Sequence, residues 1–215
     1  MNTIIERFQK IKSNISALKL LKPVNIIAVS KTFPIEHVMP LIEYGHTDFG
    51  ENKVQEAASK WSTIKVKNDH LKLHMIGKLQ SNKAKDAVKL FDYIHSLDSK
   101  KLADVLAKHQ NILKKSLKYF IQVNIGNEIQ KSGIPVKELD PFYNYCNEIN
   151  LNIIGLMVLP PNDNNVTKYF DSLNELKKSL ALKHLSMGMS SDYVDAAKRG
   201  ATFVRIGSSI FGSRS

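Results

Sequence analysis

The sequence Val24-Asn25-Ile26-Ile27-Ala28-Val29-Ser30-Lys31 combines an almost uninterrupted apolar run with a lysine at its end. Such a run predicts a strand of a parallel sheet that is buried on both faces. α/β proteins concentrate their chemistry at the carboxyl ends of these strands, which is where Lys31 stands. A partly desolvated lysine amine is a nucleophile for aldehydes. The alternative interpretation is a structural lysine whose amine extends into water.

Outward from this run, strands and helices alternate along the whole chain. Further strands are predicted at 47–49, 71–76, 93–95, 119–124, 153–158, 182–186 and 202–207. Helices are predicted at 3–21, 34–44, 53–61, 81–90, 98–113, 135–149, 166–180 and 192–199. Regular alternation indicates parallel βα units. Eight units in 215 residues favour a single α/β domain over residues 1–215, a (βα)8 TIM-type barrel with an extra N-terminal helix. An open doubly wound sheet is the structural alternative.

Composition narrows the classes of function. The net charge is +11, but the lysines are dispersed and only four arginines are present, which disfavours a nucleic-acid-binding protein. Cys146 is the single cysteine and excludes an internal disulfide. No apolar run approaches the roughly 20 residues that span a bilayer. We therefore predict a cytoplasmic protein without membrane association, and no metal site, because histidines and cysteine never fall at ligand spacing.

Two stretches that follow late strands predict phosphate-binding loops. Ser186-Met187-Gly188-Met189-Ser190 joins a strand to the helix predicted at 192–199. Free N–H groups and the dipole at a helix start favour an anion, although simple helix capping is the alternative. Gly207-Ser208-Ser209 follows the last strand, in the region where barrels often bind phosphate.

Other polar residues occur at strand ends. Arg205 interrupts the last apolar strand and must face the barrel mouth or form a salt bridge, because an unpaired buried charge is costly. Glu51 and Asn52 either line the mouth or cap the next helix. Lys78 and Lys131 add amines to neighbouring βα loops. Since βα loops meet at one barrel face, Lys31, Arg205 and the two phosphate loops are expected to lie together. That combination favours pyridoxal 5'-phosphate (PLP) as a ligand. His74 is interpreted as a buried core histidine.

Eight motifs in this chain resemble those of the YggS/PROSC family, the pyridoxal phosphate homeostasis proteins. The motifs cover nearly the whole chain in family order. They are AVSKT (28–32), GENKVQE (50–56), HMIGKLQSNK (74–83), QVNI (122–125), KSGI (131–134), GLM (155–157), LSMGMS (185–190) and VRIGSSIFG (204–212). Leu73 and Met75 depart from the residues common in the family, and both are apolar exchanges.

The resemblance implies a barrel like the N-terminal domain of alanine racemase, without that enzyme's C-terminal β domain. It implies that Lys31 holds PLP as an internal aldimine and that Arg205 faces the pyridine nitrogen. A cation there keeps the nitrogen unprotonated and makes the ring a weak electron sink. The remaining cofactor-binding residues that the resemblance implies are Asn52 near the ring and Ser186, Met187, Ser190, Gly207 and Ser208 around the phosphate.

The expected function is therefore intracellular PLP homeostasis, meaning storage, protection and delivery, without strong catalytic activity and without dedicated catalytic residues. Lys78 and Lys131 are candidate amines for transferring PLP, and PLP-dependent apoenzymes are candidate acceptors. The resemblance suggests a monomer. The alternatives are a weak PLP-dependent amino-acid racemase and a regulatory or nucleic-acid-binding protein that senses PLP.

Overall fold

A closed barrel of parallel strands forms the centre of the computed structural model, which describes residues 2–126, 128, 132–161, 163 and 165–213. The eight barrel strands and one short outer strand, β6, are β1 Asn25–Val29, β2 Asp48–Glu51, β3 Lys72–Met75, β4 Tyr93–Leu97, β5 Lys118–Asn124, β6 Ile134–Pro135, β7 Ile153–Met157, β8 His184–Ser186 and β9 Phe203–Ile206. β1 pairs with β2 and β9, and pairing of β4 with β5 closes the ring. The barrel expectation is confirmed. The open doubly wound alternative is wrong, because an open sheet would leave two edge strands without this pairing.

The helices surround the barrel, and all but the first and the last return the chain from one barrel strand to the next. They are α1 Thr3–Ser16, α2 Ile35–Glu43, α3 Val54–Lys67, α4 Ala84–Leu90, α5 Lys100–Leu113, α6 Leu139–Glu148, α7 Val166–Ser179, α8 Tyr193–Lys198 and α9 Ser208–Phe211. Two 3-10 turns, Ser81–Lys83 and Val136–Glu138, precede α4 and α6. None of the helices in these described stretches is long and apolar enough to cross a membrane.

The alternation of side chains along β1 explains why its sequence is apolar at nearly every position. Ile26 and Ala28 point outward and join the large core between strands and helices. Ile27 and Val29 point inward and belong to a second, smaller core inside the barrel. A strand covered on both faces has no solvated side, so polar alternation disappears. The inner core also contains Tyr93, Phe120, Met157 and Phe203.

The N-terminal helix α1 is shorter than the sequence pattern predicts. Its buried positions are spaced on one helical face and include Ile4, Phe8, Ile11 and Ile15. Asn2 caps the helix by accepting a hydrogen bond from the amide of Ile4 at 2.9 Å. The helix ends at Ser16 and not at 21, because Lys19 takes a left-handed φ of 49° that a right-handed helix does not accommodate.

The sequence patterns did not predict two short elements of the structure. The two-residue β6 pairs with β5, and α9 follows the last strand with Ile210 and Phe211 buried. Both are shorter than the windows over which hydrophobic periodicity is recognisable. The division into one domain over residues 1–215 stays a prediction.

Candidate functional site

A pocket of about 500 Å³ opens at the carboxyl ends of the barrel strands. Residues that follow β1, β2, β3, β7, β8 and β9 line it, so the loops of most βα units contribute. Six of the eight residues predicted to bind a cofactor lie in its wall: Lys31, Asn52, Ser190, Arg205, Gly207 and Ser208. Six further residues complete the wall: Val29, Ile76, Gly77, Leu159, Met189 and Ser191.

Lys31 enters this pocket from a backbone that is held on both sides. The amide of Ser30 donates to the carbonyl of Gly50 at 3.0 Å, which extends the pairing of β1 with β2 by one residue. The next residue, Thr32, has a φ of 70°, a conformation that is strained for a β-branched residue. Its amide donates to the Glu56 carboxylate. Lys31 is thus presented by a constrained turn, which limits where its amine can reach.

The buried carboxylate of Glu51 holds this turn through hydrogen bonds to Ser30 and to residues of α3. Glu51 is fully buried, and its Oε1 accepts hydrogen bonds from the Ser30 hydroxyl at 2.8 Å and from the Trp61 indole at 2.9 Å. Lys60 Nζ lies 2.8 Å from the same oxygen and also donates to the Ser30 carbonyl at 2.9 Å. Glu51 therefore does not line the mouth as one sequence interpretation allowed. It supports the residue that precedes Lys31.

Arg205 forms two hydrogen bonds inside the barrel and also lines the pocket. It is 4% exposed, and its guanidinium donates to the hydroxyl of Ser186 at 2.7 Å and to the carbonyl of Val158 at 2.8 Å. Burial lowers the pKa of Arg205 to about 10, while Asp192 opposes this effect. The side chain consequently remains a cation at neutral pH, in the wall of the pocket.

Ser186 and Met187 do not line the pocket. Ser186 is fully buried, and its hydroxyl lies between the Arg205 guanidinium and the ring of His95. The side chain of Met187 belongs to the outer core, and its amide donates to the carbonyl of Phe203 at 3.1 Å. These two residues therefore lie behind the residues that face the pocket.

The two loops predicted to bind phosphate meet at one side of the pocket. Ser190 belongs to the loop after β8, and Ser208 to the loop after β9. The amide of Ser209 donates to the Ser190 hydroxyl at 3.4 Å, which joins the loops directly. Gly188 has a φ of 92°, and a Cβ there would lie 2.5 Å from the Cβ of Ala196, so the turn requires glycine. The result is a cluster of hydroxyl groups suited to an anion.

Asn52 lines the pocket and contains an unpaired polar atom. Its Oδ1 is buried and has no hydrogen-bond partner in the described part of the chain. Buried side-chain oxygens without partners are rare in folded proteins, and they are often completed by a ligand or a water molecule. Gly77 packs directly over Asn52, because a Cβ at Gly77 would lie 2.4 Å from the carbonyl oxygen of Asn52.

Replacing Gly77 by alanine is expected to displace Asn52. The added methyl group cannot fit without moving backbone, and overpacking of this kind costs about 1–3 kcal/mol of unfolding free energy. Urea unfolding measures the loss. Lys78→Ala is the control, because Lys78 is the exposed neighbour and its truncation is expected to leave stability within about 0.5 kcal/mol. Equal stabilities for Gly77→Ala and the control would contradict the close approach.

Two lysines, Lys78 and Lys131, are the candidate amines for transferring PLP. Lys78 is exposed and does not line the pocket. Lys131 lies outside the described residues.

Cys146 is fully buried, and burial raises the pKa of its thiol to about 12, with Asp104 adding to the effect. This agrees with a packed thiol and not with a nucleophile.

Two fully buried histidines lie directly behind Arg205, and sequence reasoning singled out only His74. His74 Nε2 lies 3.0 Å from Asp48 Oδ1, His74 Nδ1 lies 3.0 Å from His95 Nε2, and His95 Nδ1 lies 2.8 Å from the Ser186 hydroxyl. The available signal for His95 was the alternation in Tyr93-Ile94-His95, which points Tyr93 and His95 to the same face. Burial lowers the pKa of both imidazoles, most strongly that of His95. Both rings are therefore neutral at neutral pH.

The stability of the protein is expected to fall as pH drops below about 6.5. The folded state keeps His74 and His95 neutral, whereas the unfolded chain protonates them below the ordinary pKa of 6.5, so the unfolded state binds more protons. For His74, burial outweighs the opposing effects of Asp48 and Asp92 on the pKa, and Lys72 adds to the lowering. For His95, His74 and Arg205 add to the effect of burial. Each ring contributes up to about 1.4 kcal/mol per pH unit.

Urea unfolding between pH 7.5 and 5.5 measures this slope. We expect His95→Gln to reduce the slope, because glutamine does not titrate, and His70→Gln, at an exposed histidine, to leave it unchanged. A wild-type slope that the His95 replacement leaves intact would show that this ring does not remain neutral in the folded state.

The chain is similar to known proteins over nearly its whole length. A family model described as "Alanine racemase, N-terminal domain" matches residues 7–215. A pyridoxal phosphate homeostasis protein of Pasteurella multocida (strain Pm70) is 39% identical, with 99% of this chain and 98% of that protein covered. One of the same name from Aquifex aeolicus (strain VF5) is 40% identical, with 88% and 86% covered.

A solved structure is also similar over the full length. PipY of Synechococcus elongatus PCC7942, with PLP bound, is 35% identical and superimposes with a TM-score of 0.85, covering 97% of this chain and all of that one. The resemblance to pyridoxal phosphate homeostasis proteins drawn from the sequence motifs is confirmed by these matches. By fold and by sequence, the chain belongs to the alanine racemase N-terminal domain family.

Proposed function

We propose that this protein binds PLP covalently through Lys31 and acts in intracellular PLP homeostasis, storing, protecting and delivering the cofactor without strong catalytic activity. The observation that carries the proposal is that one pocket holds the Lys31 amine, the hydroxyls of Ser190 and Ser208, and the Arg205 cation. The names of the relatives and the PLP-bound PipY structure support it.

The residues of the pocket fit PLP chemically. When bound, PLP supplies an aldehyde that bonds reversibly to a primary amine, and Lys31 carries the amine. The hydroxyls of Ser190 and Ser208, with Gly207 leaving room for close approach of the backbone, suit the phosphate. The unpaired Oδ1 of Asn52 offers a hydrogen-bonding position for a polar group on the ring. Ser186 and Met187 contribute from behind this wall, Ser186 by holding Arg205.

Arg205 supports a carrier more than an enzyme. Its cation, directed at the ring nitrogen, would keep that nitrogen unprotonated, and the ring would then stabilise a carbanion poorly. Among the described residues in the pocket wall, Lys31 is the single group of the types that commonly transfer protons in catalysis. The others carry aliphatic, thioether, hydroxyl, amide or guanidinium groups. A racemase that uses two bases would need a second one.

Covalent binding is tested by the absorbance spectrum of the purified protein after incubation with PLP. We expect a visible band that borohydride abolishes, with the reduced adduct on Lys31 in peptide mass mapping. An adduct distributed over several exposed lysines, with no band, would overturn the proposal.

The role in homeostasis is tested separately. The PLP-loaded protein is mixed with a PLP-dependent apoenzyme, and recovery of that enzyme's activity is compared with recovery from free PLP at the same concentration. We expect transfer, and we expect no measurable loss of α-deuterium from labelled amino acids. Lys31-dependent exchange of α-deuterium at a catalytic rate would favour the weak racemase instead. We further propose that the protein acts as a cytoplasmic monomer, which sedimentation of the loaded protein tests.

A further inference from the structure

Arg205 is a buried cation whose partners are neutral. Its guanidinium contacts a hydroxyl and a carbonyl, and no carboxylate in the described ranges lies within ion-pair distance of it. Burying a charge without a compensating partner is expensive. Asp192 favours the charged form of Arg205 without pairing with it directly. The Ser186 hydroxyl connects Arg205 to a longer polar row that contains the two buried histidines.

A continuous row of hydrogen bonds runs from Arg205 through the barrel to Asp48. The donor–acceptor distances along it are 2.7 Å from Arg205 to Ser186, 2.8 Å from Ser186 to His95, 3.0 Å from His95 to His74 and 3.0 Å from His74 to Asp48. Asp48 is the first residue of β2 and lines a separate surface pocket beside the start of β1. The row therefore joins the two ends of the barrel.

The chemistry of the two ends determines the direction of every bond in the row. A carboxylate only accepts, so His74 donates from Nε2 to Asp48. A neutral ring then accepts at Nδ1, so His95 donates from Nε2 to His74. The same reasoning makes His95 Nδ1 accept from the Ser186 hydroxyl, whose oxygen accepts from Arg205. All donors point from the guanidinium toward the carboxylate.

The surroundings keep this order intact. The His74 ring stacks on Tyr93 with centroids 4.2 Å apart, and the His95 ring stacks on Phe120 at 4.3 Å. Both histidines have no exposed surface. Water is therefore kept from the two rings, and hydrogen bonds in such a low-dielectric interior polarise one another.

We propose that the row of hydrogen bonds from Arg205 to Asp48 runs in one direction, orients Arg205 in the pocket and couples its charge to the Asp48 carboxylate. The positioning residues in this row are Asp48, His74, His95 and Ser186. Asp48 holds His74 in the Nε2–H form, His74 holds His95 in the same form, and His95 turns the Ser186 oxygen toward Arg205. Every donor and acceptor in the row is a protein group. The effect of the row on PLP binding rests on the proposed function.

The first test is ¹⁵N NMR of the imidazole nitrogens in the ligand-free protein. Long-range ¹H–¹⁵N correlations distinguish the two neutral tautomers from the charged ring. We expect His74 and His95 both in the Nε2–H form at pH 7. An Nδ1–H tautomer or a charged imidazolium at either residue would overturn the proposal, whether or not PLP binds.

Two replacements of Asp48 then separate positioning from packing. Asp48→Asn keeps an oxygen acceptor and is expected to preserve both tautomers, whereas Asp48→Ala removes it and is expected to change the nitrogen shifts of His95 as well as His74. We expect PLP affinity to fall about tenfold in Asp48→Ala only, as for outer partners of ligand-binding groups. Asp86→Ala, at an exposed aspartate, is the control.

Unchanged His95 shifts in a folded Asp48→Ala protein would contradict the coupling, since a residue with only a packing role would not transmit a change of tautomer. The proposed function fails in a different way: the wild-type protein would then show both Nε2–H tautomers but no PLP band.

Discussion

Lys31→Ala is expected to abolish covalent retention of PLP. Lys31 is the single primary amine among the described residues in the pocket wall, and alanine leaves the constrained turn from Ser30 to Thr32 in place. The visible band should disappear, and retention of PLP through gel filtration should fall at least about 100-fold, which corresponds to about 2.7 kcal/mol. Absorbance and intact mass after borohydride reduction measure both effects.

Lys78→Ala is the matched control for this replacement. Lys78 is an exposed lysine on a neighbouring βα loop and lies outside the pocket wall, so its loss is expected to leave the band and the reduced adduct unchanged. Residual non-covalent binding of PLP to Lys31→Ala, through Ser190, Ser208 and Arg205, is compatible with the proposal. A full-strength band in Lys31→Ala would place the covalent bond elsewhere.

Lys60→Met is expected to destabilise the protein by about 3–5 kcal/mol, because it leaves the buried Glu51 carboxylate without its cation. The side chains of Lys60 and Glu51 are 7% and 0% exposed, so water cannot replace the lost partner. This loss is a large fraction of the stability of a typical domain. Chemical denaturation at neutral pH measures it.

Two further variants give this prediction its controls. The double replacement Glu51→Gln with Lys60→Met removes both charges, and we expect it to recover much of the lost stability, since an uncharged buried pair carries no orphaned ion. Lys178→Met breaks an exposed pair with Glu175 of the same 2.8 Å length and is expected to cost less than about 1 kcal/mol. Equal losses for Lys60→Met and Lys178→Met would contradict the burial argument.

The observed bounds of α3 show how well the local sequence pattern predicts where a helix ends. The sequence predicts a helix over 53–61, but α3 continues to Lys67, with Trp61 buried against Glu51. Its last turn contains Lys65, which forms an ion pair with Asp92, the residue immediately before β4. Ile64 continues the apolar spacing of Val54, Ala57 and Trp61 and packs against the outer core, so the repeat itself extended beyond the predicted end of this helix.

The candidate site was predictable in part, for a reason visible in single residues. Lys31 and Arg205 each stand at or near the end of an apolar strand, so strand direction alone brings them to the same barrel face. Ser186 and Met187 lie in a motif of the right type, but the structure turns them away from the pocket and toward Arg205 and the outer core. Sequence position brings a residue near a site, while packing decides which way its side chain points.

The sequence alone determined the order of strands and helices, the apolar character of both faces of β1, and the strand-end position of Lys31, because each of these depends on neighbours a few residues away. Closure of the barrel by β4 and β5 and the row from Arg205 to Asp48 were decided by the tertiary structure. That row takes one residue from each of five strands. Which side chains meet inside a barrel depends on the register between strands, and register is set by the packing of the whole ring.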